Sequence, residues 1–203
     1  MMKRNKVMAS LLVGGTLMGV SACNTTKEQT KQNTSKVVPP VTFAFNKKGE
    51  CYAKNKQNIS AEEFERLTKS AGWEWQSSCM IDKNGNVTTA DFYQSIVGMS
   101  PINYYFSDGQ CHSFFFSNAT GQNVKYDYDY RFDPKTGILD IKGHARLNIV
   151  RMTEDEVGIL ERISCDADGK PEYAYTVYNR LDEQTLMGVL MQRRLTVKKL
   201  ILK

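Results

Sequence analysis

The sequence predicts a mainly β domain: an antiparallel up-and-down barrel of about eight strands, with one helix before it. Three observations carry this. From Trp73 onward, apolar and polar residues alternate with period two in one short run after another. Glycine- and asparagine-rich turn signals separate the runs. Only one strong helix signal precedes them. Consecutive strands on short links form a meander, and closing it into a barrel leaves no exposed edge to mispair.

The helix comes first. Ser60-Ala61-Glu62-Glu63 is a capping box, and Phe64 and Leu67 lie three apart on one face. Gly72 suits a C′ stop, so the helix is expected over Ala61–Ser70. Trp73, Trp75, Cys79 and Ile81 then alternate with polar residues up to the Asn84-Gly85 turn. Asn103–Phe106 and Cys111–Phe116 flank Ser107-Asp108-Gly109-Gln110, a hairpin signal. Tyr126, Tyr128, Tyr130 and Phe132 lead to the turn Asp133–Gly137. Ile138–Ile141, then Ala145, Leu147 and Ile149, continue the series. Val157, Ile159 and Ile163 follow. Asp166-Ala167-Asp168-Gly169 turns into Tyr173, Tyr175 and Val177. The link from Lys83 to Ile102 is too long for a hairpin. Phe92, Ile96 and Met99 fall there at helical spacing, with Thr88 or Thr89 as cap. A short helix is therefore expected over Ala90–Val97. After the barrel, Asp182 can cap a helix through Leu186, Val189 and Leu190, with Arg193 and Arg194 on its polar side. That tail is either a solvated basic segment or a contact for anionic lipid.

The start of the chain points to export. A basic stretch with Lys3, Arg4 and Lys6 precedes an apolar run from Val7 to Val20, too short to span a bilayer, which needs roughly 20 residues. The run ends Val20-Ser21-Ala22-Cys23, which resembles the lipobox of bacterial lipoproteins. The resemblance implies cleavage before Cys23 and a membrane anchor through lipid on that cysteine. Residues 24 to 36 contain no aromatic or aliphatic residue and cannot build a core, so they are expected to be a disordered tether. The expected organisation is a signal peptide over 1–22, lipidated cysteine and tether over 23–40, barrel over 41–181 and tail over 182–203. Asn24 stands where such lipoproteins carry an aspartate for inner-membrane retention. The expected place is thus the cell envelope, at the outer membrane of a two-membrane cell.

The formal charge of +5 loses Lys3, Arg4 and Lys6 with the leader, leaving about +2. No basic stripe with interleaved aromatics runs through the body, which argues against nucleic acid. Cys51, Cys79, Cys111 and Cys165 allow three pairings, or free buried thiols. His112 and His144 read as packed or surface residues; no metal or other cofactor is expected. Asp166–Gly169 lacks the later ligands of a calcium loop. Asp127 and Asp129 read as the wet side of a strand. No nucleophile elbow or triad order is present, so an enzyme is not expected.

Helix, then Ala71-Gly72-Trp73-Glu74-Trp75, then the long connection into Ser100–Phe106, resembles the lipocalin-like lipoproteins of bacteria. So do Tyr128–Gly137 and Arg146–Glu156. The resemblance covers roughly Ser60–Leu181. It departs from true lipocalins at the Gly-x-Trp entry, which is here Gly72-Trp73 unless Trp75 is the equivalent. It implies barrel closure by an arginine on the last strand lying across a tryptophan on the first, here Arg180 and Trp73, with Trp75 as second choice. It also implies that the Lys83–Ile102 link is a lid, Phe92 and Ile96 facing the barrel. Two functions stay open. In one, a monomer holds a small apolar or amphipathic ligand against Phe92, Ile96, Tyr104, Phe114 and Tyr128. In the other, the aromatics fill the core, and the domain binds or inhibits another envelope protein.

Overall fold

The computed structural model describes residues 39–69, 71–91 and 101–195. Residues 1–38, which hold the expected leader, Cys23 and most of the expected tether, lie outside these residues, as do Phe92 and Ile96; Pro39 and Pro40, the end of the expected tether, lie inside them. The elements are β1 (Phe43–Phe45), β2 (Cys51–Ala53), α1 (Ala61–Thr68), β3 (Gly72–Ile81), β4 (Val87–Asp91), β5 (Asn103–Ser107) and β6 (Gln110–Ser117). They continue with β7 (Gln122–Asp133), β8 (Ile138–Ile141), β9 (Ala145–Met152), β10 (Glu156–Cys165), β11 (Pro171–Leu181) and α2 (Glu183–Gln192).

Each strand from β5 to β11 pairs antiparallel with the next, and β3 pairs with β5. The ring then closes, because β11 also pairs with β3, from Ala174 opposite Met80 to Leu181 opposite Gly72. Eight strands form the ring, the up-and-down barrel expected for a lipocalin-like domain. β4 lies outside that count: it doubles back on the far end of β3, with Ile81 opposite Val87, while β5 takes Gly72 and Trp73.

The capping box works as the sequence implies. Ser60 Oγ accepts from the Glu63 amide at 3.0 Å. The helix nevertheless ends earlier than expected, with Lys69 as C-cap, and Gly72 is the first residue of β3. Gly72 answers a different need: a Cβ there would lie 2.7 Å from Leu186 Cδ1 of α2. Likewise Thr88, Thr89, Ala90 and Asp91 are strand, not the cap and first turn of a lid helix.

α1 plugs one end of the barrel. Phe64 stacks on Phe132 with ring centroids 4.1 Å apart and meets Trp73, Phe106 and Tyr130. Val157, Met152, Ile149 and Leu139 complete this floor, each almost fully buried. The outer face carries two further clusters. The β1–β2 hairpin lays Phe43 against Ile81, Val150, Leu160 and Tyr173. α2 lays Leu186 and Leu190 on Tyr105 and Phe114.

α2 is capped as expected, Asp182 Oδ1 accepting from the Thr185 amide at 2.7 Å. Arg193, though, is not on a free polar face. Its guanidinium sits over the Phe114 ring, 5.4 Å from the centroid, and its Nη2 lies 3.6 Å from Glu74. Among the described residues the thiols of Cys51, Cys79, Cys111 and Cys165 are all free of disulfides. Burial pushes Cys51 up to about 11 and Cys111 higher still.

Candidate functional site in the upper barrel

Side chains alternate across a strand, and residues opposite one another in an antiparallel pair share a face. This phase, followed around the ring from the floor, defines the inner wall. On β11 it runs Arg180, Tyr178, Thr176, Ala174; opposite on β10 stand Val157, Ile159 and Glu161. On β3 it runs Trp73 and Trp75, and then a bulge at Gln76 shifts the register, so that Ser78 and Met80 face inward instead of Cys79 and Ile81. On β6 it runs Cys111, Ser113, Phe115, facing Tyr128, Tyr126 and Val124 of β7.

The floor end is closed by Arg180, which stands opposite Trp73 in register. Its Nε donates to the Leu67 carbonyl at 2.7 Å, and Nη1 donates to the Glu154 carbonyl at 3.0 Å. The guanidinium thus ties the C-terminal end of α1 to the β9–β10 turn. Trp73 is fully buried and gathers Phe64, Tyr104, Phe106 and Tyr178 around its indole. Trp75 packs beside this cluster, partly buried.

Above the floor the wall changes character. Tyr104 and Tyr128 both face in; Tyr128 stacks on His144 at 4.6 Å, and Tyr104 meets the same imidazole edge-on at 6.1 Å. Burial pulls the His144 pKa below its usual value, favouring the neutral ring. Among the described residues, His144 Nε2 is buried with no hydrogen-bond partner, and so is the hydroxyl of the fully buried Ser113. On the β3–β11 side a chain of hydrogen bonds runs along the wall. Trp75 Nε1 donates to Ser78 Oγ at 3.0 Å, Ser78 and Thr176 share a bond of 2.8 Å, and the Thr176 hydroxyl donates to Glu161. Burial raises the Glu161 pKa, and the Thr176 hydroxyl opposes that rise.

Of the ligand-lining residues expected from sequence, Tyr104 and Tyr128 lie on this wall. Phe114 does not. It pairs with Asn103 and Lys125, one step out of phase with Ser113, and faces outward beneath α2. Tyr173 and Tyr175 are also outward, under the β1–β2 hairpin, where Phe43 meets Tyr175 at 5.3 Å. Sequence reasoning missed Ser78, Ser113, His144, Glu161 and Thr176. One signal was available: Glu161 sits in phase between Ile159 and Ile163, a charge on the apolar side of a strand.

Two other features lie outside the barrel. Ser107 Oγ and His112 Nε2 are 2.9 Å apart, and His112 Nδ1 lies 2.6 Å from Asp127 Oδ1. That order of contacts is one the linear sequence did not reveal. Lys125 claims the same carboxylate oxygen at 2.7 Å, and His112 is stacked on Tyr105. The cluster pins β5, β6 and β7 together. A groove of about 580 Å³ runs between the β1–β2 hairpin, the β3–β4 turn and the outer faces of β9–β11, lined by Val41, Phe43, Lys54, Arg151 and Tyr175 among others.

No protein-family model matches the chain. No curated protein matches it either. Among solved structures, it is similar to bovine odorant-binding protein complexed with its natural ligand, at 12% identity and a TM-score of 0.34, over 67% of this chain and 90% of that one. The complex of the same bovine protein with undecanal gives 12% identity and 0.34 over 72% and 94%. Its complex with a selenium-containing odorant gives 14% and 0.33 over 68% and 88%. At such values the likeness carries no argument, and the fold stands on the closed ring of strand pairings alone.

Proposed function

We propose that this protein is a lipid-anchored, non-enzymatic binding protein that holds a small amphipathic molecule in the upper half of its barrel. The observation that carries the reading is that two buried polar atoms of the upper wall, Ser113 Oγ and His144 Nε2, have no hydrogen-bond partner among the described residues. A solid apolar core has no use for them, since each buried unpaired polar group costs about 1–3 kcal/mol. A bound molecule with polar atoms of its own offers them partners. Eight-stranded barrels have an interior just wide enough for one small ligand. The aromatic rings of Tyr104 and Tyr128 supply the apolar part of the wall.

The anchor half of the proposal rests on Cys23 and the short apolar run before it. It places the domain at the envelope, at the outer membrane where two membranes exist. Cys23→Ala should leave the protein in the soluble fraction of lysed cells; membrane retention of that variant sinks the anchor. Native mass spectrometry of protein purified from its own envelope tests the ligand. A small co-purifying mass supports binding, and a stoichiometric protein instead favours an interaction module.

A further inference from the structure

We propose that the ligand of the upper barrel carries a protonated amine, which pairs with the Glu161 carboxylate while its apolar portion lies against Tyr104 and Tyr128. This rests on the barrel-binding reading above and deepens it.

The argument starts from the direction of the hydrogen-bond chain. An indole N–H can only donate, so Trp75 gives its proton to Ser78 Oγ. The Thr176 proton is committed to Glu161. The bond between Ser78 and Thr176 must therefore be donated by Ser78. Every proton in the chain points one way, toward Glu161. The chain of donors ends on the Glu161 carboxyl, which accepts the Thr176 proton.

Charge around that carboxyl is one-sided. Above the floor, the inner phase of the described strands brings no lysine or arginine to the wall. Arg180 faces the interior only at the floor, where Leu67 and Glu154 take its donors. Lys125 is on the outer face with Asp127 and Tyr105, and Arg193 is over Phe114 outside the barrel. His144 is pushed toward its neutral form. A carboxylate taken out of water without a cation is costly. A wall whose described residues offer an acid, hydroxyls and a neutral imidazole, but no lysine or arginine, would repel a fatty acid or other anion. It suits a cation whose ammonium has three donors to give, and the tyrosine faces nearby suit the same cation.

The test is competition against N-phenyl-1-naphthylamine, an uncharged fluorescent apolar probe, using octylamine, octanol and octanoate. In the wild-type protein octylamine should displace the probe at a concentration lower by about tenfold or more than octanol, and octanoate should be weakest. Glu161→Gln, near-isosteric, should still bind the probe but level octylamine with octanol. Asp129→Asn removes an exposed acid from the outer face, 71% exposed and near Lys142, and should keep the preference. Probe binding without an amine preference in the wild type, or a preference that survives in Glu161→Gln, overturns this inference and leaves barrel binding standing. Failure of the probe and all three competitors to bind overturns both.

Discussion

The two halves of one barrel interior are built to different rules. At the floor, Phe64, Trp73, Phe106, Tyr130 and Phe132 interlock as rings, and the charged group present, Arg180, has its donors placed on Leu67 and Glu154. Above it, the same alternation of strands delivers Ser78, Ser113, Thr176 and Glu161, and the β8–β9 turn adds His144; Ser113 Oγ and His144 Nε2 have no hydrogen-bond partner among the described residues, as Trp73 Nε1 has none at the floor. Ring closure and plugging demand only the first. Interlocked aromatic packing is thus concentrated in the floor, and hydroxyl, imidazole and carboxyl groups in the upper wall.

Breaking the floor should therefore have the largest effect. Phe64→Ala removes a 3%-exposed ring that touches four others, and should lower unfolding free energy by about 3–5 kcal/mol in urea titrations. A loss under about 1 kcal/mol would mean that α1 is not the plug described. Arg180→Met should come next. It keeps the apolar stem but strips the donors from the Leu67 and Glu154 carbonyls, at a cost of about 1–3 kcal/mol. If stability is unchanged, the guanidinium is not what ties α1 to the β9–β10 turn.

The upper wall should respond in the opposite sense. Ser113→Ala deletes a buried hydroxyl that has no partner, so it should be neutral or stabilising, by up to about 1 kcal/mol. A clear destabilisation would show the hydroxyl to be satisfied within the fold, and the contrast between the halves would shrink.

How far the sequence could be read follows the same division. All eight ring strands were legible, some from period-two alternation and others from aromatic or aliphatic runs bounded by turn signals. So was the Ser60 cap, a purely local device. What failed was the assignment of faces. Tyr173, Tyr175 and Phe114 mark an apolar phase that is real but outward, since the β1–β2 hairpin and α2 each cover part of the outer surface. A barrel with both faces partly covered cannot be turned the right way round from hydrophobicity alone. The Gln76 bulge flips the phase of β3 midway, which no alternation count detects. The polar wall was missed for a related reason. Ser78 and Ser113 look like ordinary outward residues until the register is known, while Glu161 between Ile159 and Ile163 was the one departure visible beforehand.

Glu161 also gives the finest test of the contrast, through pH. Its folded-state pKa is raised above the ordinary 4.5 by burial. Between the unfolded and folded values the native protein therefore binds more protons than the unfolded chain, and stability falls as pH rises through that window. The contribution is fully present below about pH 4.5, is lost as pH climbs through the raised value, and is flat beyond it. Glu161→Gln has no such group. His144 works in the opposite direction: its lowered folded pKa costs stability as pH falls below 6.5. Both proteins carry His144, so the difference between them isolates Glu161. Urea midpoints measured from pH 4 to pH 8 should show the wild type losing ground against Glu161→Gln as pH rises, with no further change once the carboxyl is ionised. Adding octylamine should flatten that difference, because a cation beside the carboxylate restores its ordinary affinity for protons or lowers it further. A wild type that instead gains on the variant with rising pH would place a cation already beside Glu161, and an amine would then find no unpaired carboxylate on the upper wall.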